Sequence, residues 1–206
     1  MASSATPYGM RPLGASGQSP FGANSVRQYR LTADNDVAIY TYAPVVTVAG
    51  AINGADTAPA AGTLSVNSPL GVCVGVQYTD PVLKYTLNGQ YLPANCITAG
   101  YTNVLVSVLD DPNALFMMQA DGQVAQASIG LNTTMATFTG NSTTGFSTMA
   151  ADASTATTNT LPLRIVDLVN QNSLFGGGLS APNDAYTDII VRWNANTHIY
   201  TFPTGQ

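Results

Sequence analysis

Short runs of apolar and aromatic residues, broken by glycine, proline and Asn/Asp turns, recur along most of the chain. Residues 26–32 alternate between two faces, and within 71–79 Val72, Val74 and Val76 fall on one predicted face. Runs of this period, rich in Val, Thr and Tyr, are typical of β-strands. Strands are predicted over 26–32, 37–42, 44–48, 70–79, 82–87, 90–92, 103–109, 114–120, 163–170, 186–193 and 198–202.

The number and spacing of these runs predict the fold class. Many short strands at close spacing indicate an all-β fold, an antiparallel β-barrel or β-sandwich with long loops. Long helices are disfavoured, because all 11 acidic residues are Asp and Glu/Lys pairs cannot form. Asn88-Gly89 predicts a type I′ hairpin turn, and residues 49–68 predict a connection with little to bury.

The first 25 residues predict an extended N-terminal arm rather than a regular element. Pro7, Pro12 and Pro20 and four glycines interrupt this segment. Isolated larger side chains between such breakers are typical of a segment that lies on another surface through a few pockets. The predicted partner contacts of the arm are Tyr8, Met10, Arg11, Leu13 and Phe21. A merely disordered terminus is the alternative that the same breakers leave open.

The rest of the chain, residues 26–206, predicts a single β-rich domain, since 206 residues suffice for one sizeable core. Residues 129–160 form a polar excursion within it, in which 25 of 32 residues are Thr, Ser, Asn, Ala or Gly. We expect this excursion to embrace an adjacent protomer.

Charge is scarce: only 8% of the residues are charged and 45% are hydrophobic. A soluble monomer relies on a densely charged surface, so a surface of Thr, Ser, Asn, Ala and Gly indicates that neighbouring subunits cover much of it. The net charge of −5 argues against nucleic acid as a partner. No run is long enough to predict a membrane helix, and no secretory signal is visible, so synthesis in the host cytoplasm is expected.

Catalytic and cofactor chemistry finds little support in the residue inventory. The single histidine, His198, lies in a predicted edge strand, and no nucleophile motif accompanies it, so we expect no enzyme and no catalytic residue. Cys73 and Cys96 are predicted to be free and buried. Two cysteines and one histidine are too few for structural zinc. Calcium at 34–36 or 110–111 is the weaker reading, because Asp and Asn favour turns on their own account. No metal and no cofactor is expected.

Four segments carry a resemblance to a known group of proteins: ASSATPYGMRP at 2–12, PLGVCVGVQYTDP at 69–81, VLDDPNALFMMQADG at 108–122 and VRWNANTH at 191–198. Together they resemble the capsid decoration, or cement, proteins of tailed bacteriophages. The resemblance is spread over most of the chain but does not include the excursion at 129–160.

The resemblance implies a β-rich structural virion protein on the outer surface of an icosahedral capsid. Such a subunit would bridge neighbouring copies of the major capsid protein, commonly as a homotrimer, and would stabilise the shell without turnover. Two alternatives remain open: a phage head-fibre or tail component, and a glycan-binding β-sandwich module. Against the glycan-binding module stands the lack of an evident face on which Trp and Tyr cluster.

Overall fold

The computed structural model describes residues 4–15, 25–48, 50–56, 68–169, 184–195 and 197–201. These residues form strands and two 3₁₀ turns, and none of them lies in an α-helix. The strands are β1 (Arg11–Ala15), β2 (Val26–Arg30), β3 (Ile39–Tyr40), β4 (Pro44–Val48), β5 (Ala51–Gly54), β6 (Pro69–Thr79), β7 (Thr86–Gly89), β8 (Tyr91–Leu92), β9 (Thr102–Leu109), β10 (Ala114–Gln119), β11 (Asn132–Thr133), β12 (Leu163–Leu168) and β13 (Asp188–Trp193). The 3₁₀ turns are Gln126–Ser128 and Ile199–Thr201.

The strands are arranged in three antiparallel sheets. A five-stranded sheet has the order β1-β10-β13-β12-β11, and a second sheet has the order β2-β9-β6-β4-β5 with β7 also paired to β6. Strands β3 and β8 form a small third sheet. The sheets do not close into a barrel, and their packing is sandwich-like. The prediction of an all-β antiparallel fold is therefore confirmed, and of its two architectures the sandwich is the one that fits.

The first core joins the two larger sheets. Along β10 the side chains alternate, so Phe116 and Met118 face this core while Leu115 packs on the outer side of the sheet. The six-stranded sheet contributes Val72 and Leu109. Burial of this apolar surface is the main stabilising term of such a fold.

The second core covers the other face of the six-stranded sheet. Val104, Val106 and Val108 of β9 all point into it, as the period of two requires. Ile39 of β3 and Leu92 of β8 belong to the same cluster, so the small sheet forms part of this core.

The predicted common face of Val72, Val74 and Val76 holds for Val72 and Val74, which both pack against the first core, but is wrong for Val76. The pairing of β6 with β9 shifts in register between Cys73 and Gly75. Val72 consequently packs in the first core, whereas Cys73 and Val76 pack in the second. A bulge inserts one residue into a strand and reverses the faces beyond it, so one strand serves both cores.

The predicted hairpin turn at Asn88-Gly89 is also wrong. Both residues lie inside β7, paired with β6. The chain reverses earlier, over residues 80–85, because an Asp-Pro step ends β6 there.

Three short elements also differ from the elements predicted from the sequence. The connection predicted at 49–68 contains β5, which is paired with β4 and buries Ile52. The strand predicted at 37–42 shortens to β3, and within 198–202 the described residues form a 3₁₀ turn over Ile199–Thr201. Strand pairing, rather than local composition, decides these short elements.

The N-terminal segment contains a strand, so the expectation that its breakers exclude regular structure is wrong for residues 11–15. β1 pairs with β10 at the edge of the five-stranded sheet. Proline lacks an amide N–H, and an edge strand tolerates it because one side of the strand needs no partner. A register shift between Pro12 and Gly14 accommodates the interruption.

The polar excursion at 129–160 packs on its own chain. Met135, Met149 and Ala151 are buried in the first core. Isolated backbone bridges hold the segment: Met135 pairs with Ala151, and Ala120 pairs with Ala151. A few apolar residues among many Thr and Ser are therefore enough to dock it.

Candidate functional site

The predicted arm contacts lie in different environments. Met10 is 0% exposed within the first core, and Leu13 packs against the outer cluster of the five-stranded sheet. Arg11 is exposed and Tyr8 is half-buried. Phe21 lies outside the described residues. The structure thus places Met10 and Leu13 in contacts with their own chain, and only Arg11 of these four is fully available at the surface.

Hydrogen bonds fasten the N-terminal segment to the five-stranded sheet. The Tyr8 hydroxyl donates to Asp188 Oδ1 over 2.8 Å, and the Thr6 amide donates to Gln119 Oε1 over 2.7 Å. Burial, together with the Asp188 carboxylate, raises the pKa of Tyr8, so the hydroxyl stays protonated and keeps this bond at all moderate pH values.

A groove of about 440 Å³ lies between the N-terminal segment and the turn at 141–148. We call it the aromatic groove. Its lining includes Tyr8, Arg11, Tyr42, Asn141, Thr144 and Phe146. These residues come from three distant parts of the chain, which sequence inspection alone does not bring together.

The floor of the aromatic groove is an aromatic pair on an unusual backbone. The rings of Tyr42 and Phe146 stack at 5.6 Å between centroids and 25° between planes. Tyr42 has φ 68°, a left-handed conformation that costs about 1–3 kcal/mol in a bulky residue. The Tyr42 amide donates to the Cys73 carbonyl over 2.8 Å, and its carbonyl accepts from the Met10 amide over 2.8 Å. These bonds hold the strained residue in place.

Close backbone approach also fixes this floor. A Cβ on Gly9 would lie 2.5 Å from the Tyr42 carbonyl oxygen, and φ at Gly9 is +77°. Only glycine fits both conditions. Close packing between Gly9 and Tyr42 therefore helps to hold the floor of the groove.

A second surface feature is the turn between β6 and β7, residues 81–85, which we call the apolar tip. Val82 is 82% exposed, Leu83 is 52% exposed and Tyr85 is 54% exposed. Single exposed apolar residues are common, but three within one short turn form an exposed apolar patch of the kind that marks an interaction site. The turn at 97–100 lies beside the tip, since a Cβ added at Gly100 would be 3.3 Å from Pro81 Cβ, and its Ile97 is 39% exposed.

The backbone of the apolar tip is fixed by one carboxylate. Asp80 Oδ1 accepts hydrogen bonds from the amides of Val82, over 2.7 Å, and Leu83, over 2.8 Å. The amide of Lys84 donates to the Asp80 carbonyl over 3.0 Å, and Lys84 takes φ 59°. These hydrogen bonds fix the turn in a conformation that leaves its apolar side chains exposed.

A buried polar cluster lies under the C-terminal 3₁₀ turn. His198 is fully buried beside Trp193, with ring centroids 6.3 Å apart, and its Nδ1 accepts from the Tyr200 amide over 3.3 Å. Burial lowers the pKa of His198 to about 4, although the Asp110 carboxylate opposes this shift. The ring is therefore neutral at pH 7. Within the described residues, its Nε2 and the Nε1 of Trp193 are buried without a hydrogen-bond partner.

The neutral state of His198 makes stability depend on pH. Below pH 6.5, the ordinary pKa of histidine, His198 is protonated in the unfolded chain. In the folded chain it stays neutral down to about pH 4. The free energy of unfolding should therefore fall by about 3 kcal/mol between pH 7 and pH 4 through this group. Urea unfolding at both pH values measures the loss, and His198→Gln should flatten it. Equal pH dependence in the two proteins would contradict the assignment.

Asp110 joins the edge strand β2 to the C-terminal turn. Its Oδ2 accepts from the Tyr29 hydroxyl over 2.6 Å and lies 3.1 Å from Arg27 Nε. The Tyr29 hydroxyl also contacts the Tyr200 hydroxyl at 2.8 Å. Asp110 is thus engaged by a cation and a hydroxyl.

The other residues that the sequence singled out for possible chemistry are buried or hydrogen-bonded. Cys73 and Cys96 are free and buried, and burial raises the pKa of the Cys73 thiol to about 12 and that of Cys96 to about 11. Asp34 Oδ1 accepts from the Thr98 amide, and hydrogen bonding to Thr98 lowers its pKa. Over the described ranges, no three His, Cys, Asp or Glu residues gather as metal ligands. Nor does any described segment form a helix long and apolar enough to cross a membrane.

Comparisons of the chain with models of protein families, with curated proteins and with solved structures find no match.

Proposed function

We propose that this protein is a structural subunit that decorates an icosahedral phage capsid and stabilises it by bridging neighbouring capsid subunits. The observation that carries the proposal is the apolar tip. It presents Val82, Leu83 and Tyr85 to solvent on a backbone fixed by Asp80. A rigid apolar protrusion suits docking into a pocket of a fixed partner, because little conformational entropy is lost on binding.

Composition supports the same proposal. With 6 basic and 11 acidic residues in 206, the surface has few charges to keep it free of neighbours. The acidic balance suits the outer face of a shell, away from packaged DNA. The major capsid protein is the proposed partner, with a homotrimer as the proposed state of the subunit and the outer capsid surface as its proposed location.

The mechanism requires no turnover. Each subunit would add modest contact area to several capsid neighbours, and the symmetry of the shell would repeat this gain many times. A head fibre or tail component would use the same tip against a different partner, and binding to capsids distinguishes these alternatives from the proposed role.

Cosedimentation with expanded, undecorated phage capsids tests the proposal through the variant Leu83→Asp. A carboxylate at the tip would have to lose its hydration on docking into an apolar pocket, so binding should weaken about tenfold or more. Because Leu83 is exposed, the variant should keep its circular dichroism spectrum and its unfolding midpoint.

The matched control is Val166→Asp. Val166 is 38% exposed and lies on β12, in the other large sheet from the tip, and its substitution adds the same negative charge. It should bind as the wild type does. The proposal fails if the wild-type chain does not bind saturably to capsids, and the role of the tip fails if both variants bind equally.

A further inference from the structure

The aromatic groove has the features of a ligand site. It is concave, whereas the apolar tip protrudes. Its floor, the stacked pair Tyr42 and Phe146, is half-buried and leaves ring surface toward the groove. The left-handed backbone of Tyr42 is retained although it is costly. Strained residues of this kind concentrate where a surface is organised for a ligand.

The charge of the groove is positive on an otherwise acidic chain. Arg11 lines it and is exposed, and none of the described lining residues is acidic. Arg11 forms no ion pair with another described residue, and the Asp188 carboxylate behind Tyr8 accepts a hydrogen bond from the Tyr8 hydroxyl. A guanidinium in a groove binds a carboxylate through two parallel hydrogen bonds.

Hydrogen-bonding groups stand at the rim. Asn141 is exposed, and its Oδ1 accepts from the Thr143 amide over 2.8 Å. Within the described part of the chain its amide N–H₂ group donates to no other residue, which leaves two donors. Thr144, also exposed, adds a hydroxyl. Aromatic faces beside amide and hydroxyl groups match a ring that is apolar on one face and hydroxylated at its edge.

The groove continues past Pro7. A second cavity of about 330 Å³ is also lined by Pro7 and Thr148, and its lining includes Ala150 and Asp121, so the carboxylate of the ligand is expected in the first cavity, beside Arg11. Together the two cavities offer room for more than one small ring.

From these observations we propose that the aromatic groove binds a saccharide that carries a carboxylate. The carboxylate contacts Arg11, one sugar face packs on Tyr42 and Phe146, and the ring hydroxyls bond to Asn141 and Thr144. The inference is independent of capsid binding, which the apolar tip carries. It gives the surface of this protein a means of holding acidic glycans.

Titration of the ¹⁵N-labelled full chain, followed by amide resonances, tests the proposal with four probes. These are digalacturonate, its dimethyl ester, 3′-sialyllactose and lactose. At least one of the two acids should shift resonances of groove residues and should bind about tenfold or more tightly than its uncharged counterpart, because an ionic hydrogen-bonded pair is lost in the latter.

Variants assign the contacts. Arg11→Gln should reduce binding of the acid to the level of the uncharged probe, and Phe146→Ala should weaken both probes. Arg30→Gln removes an equal charge from an exposed position on β2, in the other sheet, and should bind as the wild type does. Arg11 is exposed, so loss of folding does not confound its substitution.

Three results would overturn the proposal. The first is that neither acid shifts groove resonances at millimolar concentration. The second is that acid and uncharged probes bind equally. The third is that Arg11→Gln binds the acid as tightly as the wild type does. An N-acetylated dipeptide with a free C-terminal carboxylate serves as the competing occupant, and preference for it over both acidic sugars would assign the groove to peptide instead.

Discussion

Replacing Met10 with alanine should lower the free energy of unfolding by about 2–5 kcal/mol, the usual loss when a large apolar side chain is removed from a packed core. Met10 is 0% exposed in the first core, although it lies close to the N-terminus. Its amide also donates to Tyr42, so the backbone around it is held and cannot readily collapse into the cavity.

Urea unfolding of the full chain measures this effect, with Arg11→Ala as the neighbouring control. Arg11 is exposed and should change stability by less than about 0.5 kcal/mol. Equal effects of the two substitutions would mean that the N-terminal segment does not dock in its own core. The expected difference would also show that removing residues 1–24 takes away core contacts. A loss of partner binding in such a truncated chain would therefore not show that these residues form an arm.

Gly71→Ala should destabilise the protein by about 3 kcal/mol or more, through a backbone clash rather than a lost contact. A Cβ at Gly71 would lie 2.2 Å from the Leu109 carbonyl oxygen and 2.8 Å from Val108 Cγ1. Backbone cannot yield as a flexible side chain does. Strands β6 and β9, which connect the two cores, would have to separate locally.

Gly75→Ala is the matched control on the same strand. The nearest atom to a Cβ there is the Gly89 carbonyl oxygen, at 3.8 Å, an ordinary contact. This substitution should leave stability within about 1 kcal/mol of the wild type, since alanine also restricts the unfolded chain. Thermal unfolding of both variants gives the comparison, and equal midpoints would contradict the packing described for β6.

Much of the strand content could be predicted, because local pattern and packing agree over the longer elements. β4 has the predicted bounds, and β9 and β10 lie within one residue of theirs. In β9 the alternating apolar residues Val104, Val106 and Val108 are the buried ones, and Asp110 follows the end of the strand. Propensity and tertiary contacts therefore point to the same answer.

The errors arise where long-range contacts decide. The residues 71–76 read as one alternating strand, yet the bulge at Cys73 and Gly75 divides them between two cores. Gly71 and Gly75 look equivalent in sequence, but only Gly71 meets another backbone closely. Pro12 looks like a breaker, and it is accommodated because β1 lies at a sheet edge.

The candidate sites were hidden for the same reason. The absence of an evident aromatic face argued against glycan binding, yet Tyr8, Tyr42 and Phe146 meet in one groove although they are isolated in sequence. The apolar tip was predicted as a strand, because residues 82–87 carry β-forming side chains. The hydrogen bonds of Asp80, which turn them outward, are not visible in composition.

The measurement that tests the central claim most directly is the temperature at which DNA-filled capsids release their DNA, with and without saturating protein. Capsid decoration that stabilises the shell predicts a higher release temperature with the wild-type chain and with Val166→Asp, and little or no increase with Leu83→Asp. Saturable binding without any rise in release temperature, or an equal rise with Leu83→Asp, would contradict the account.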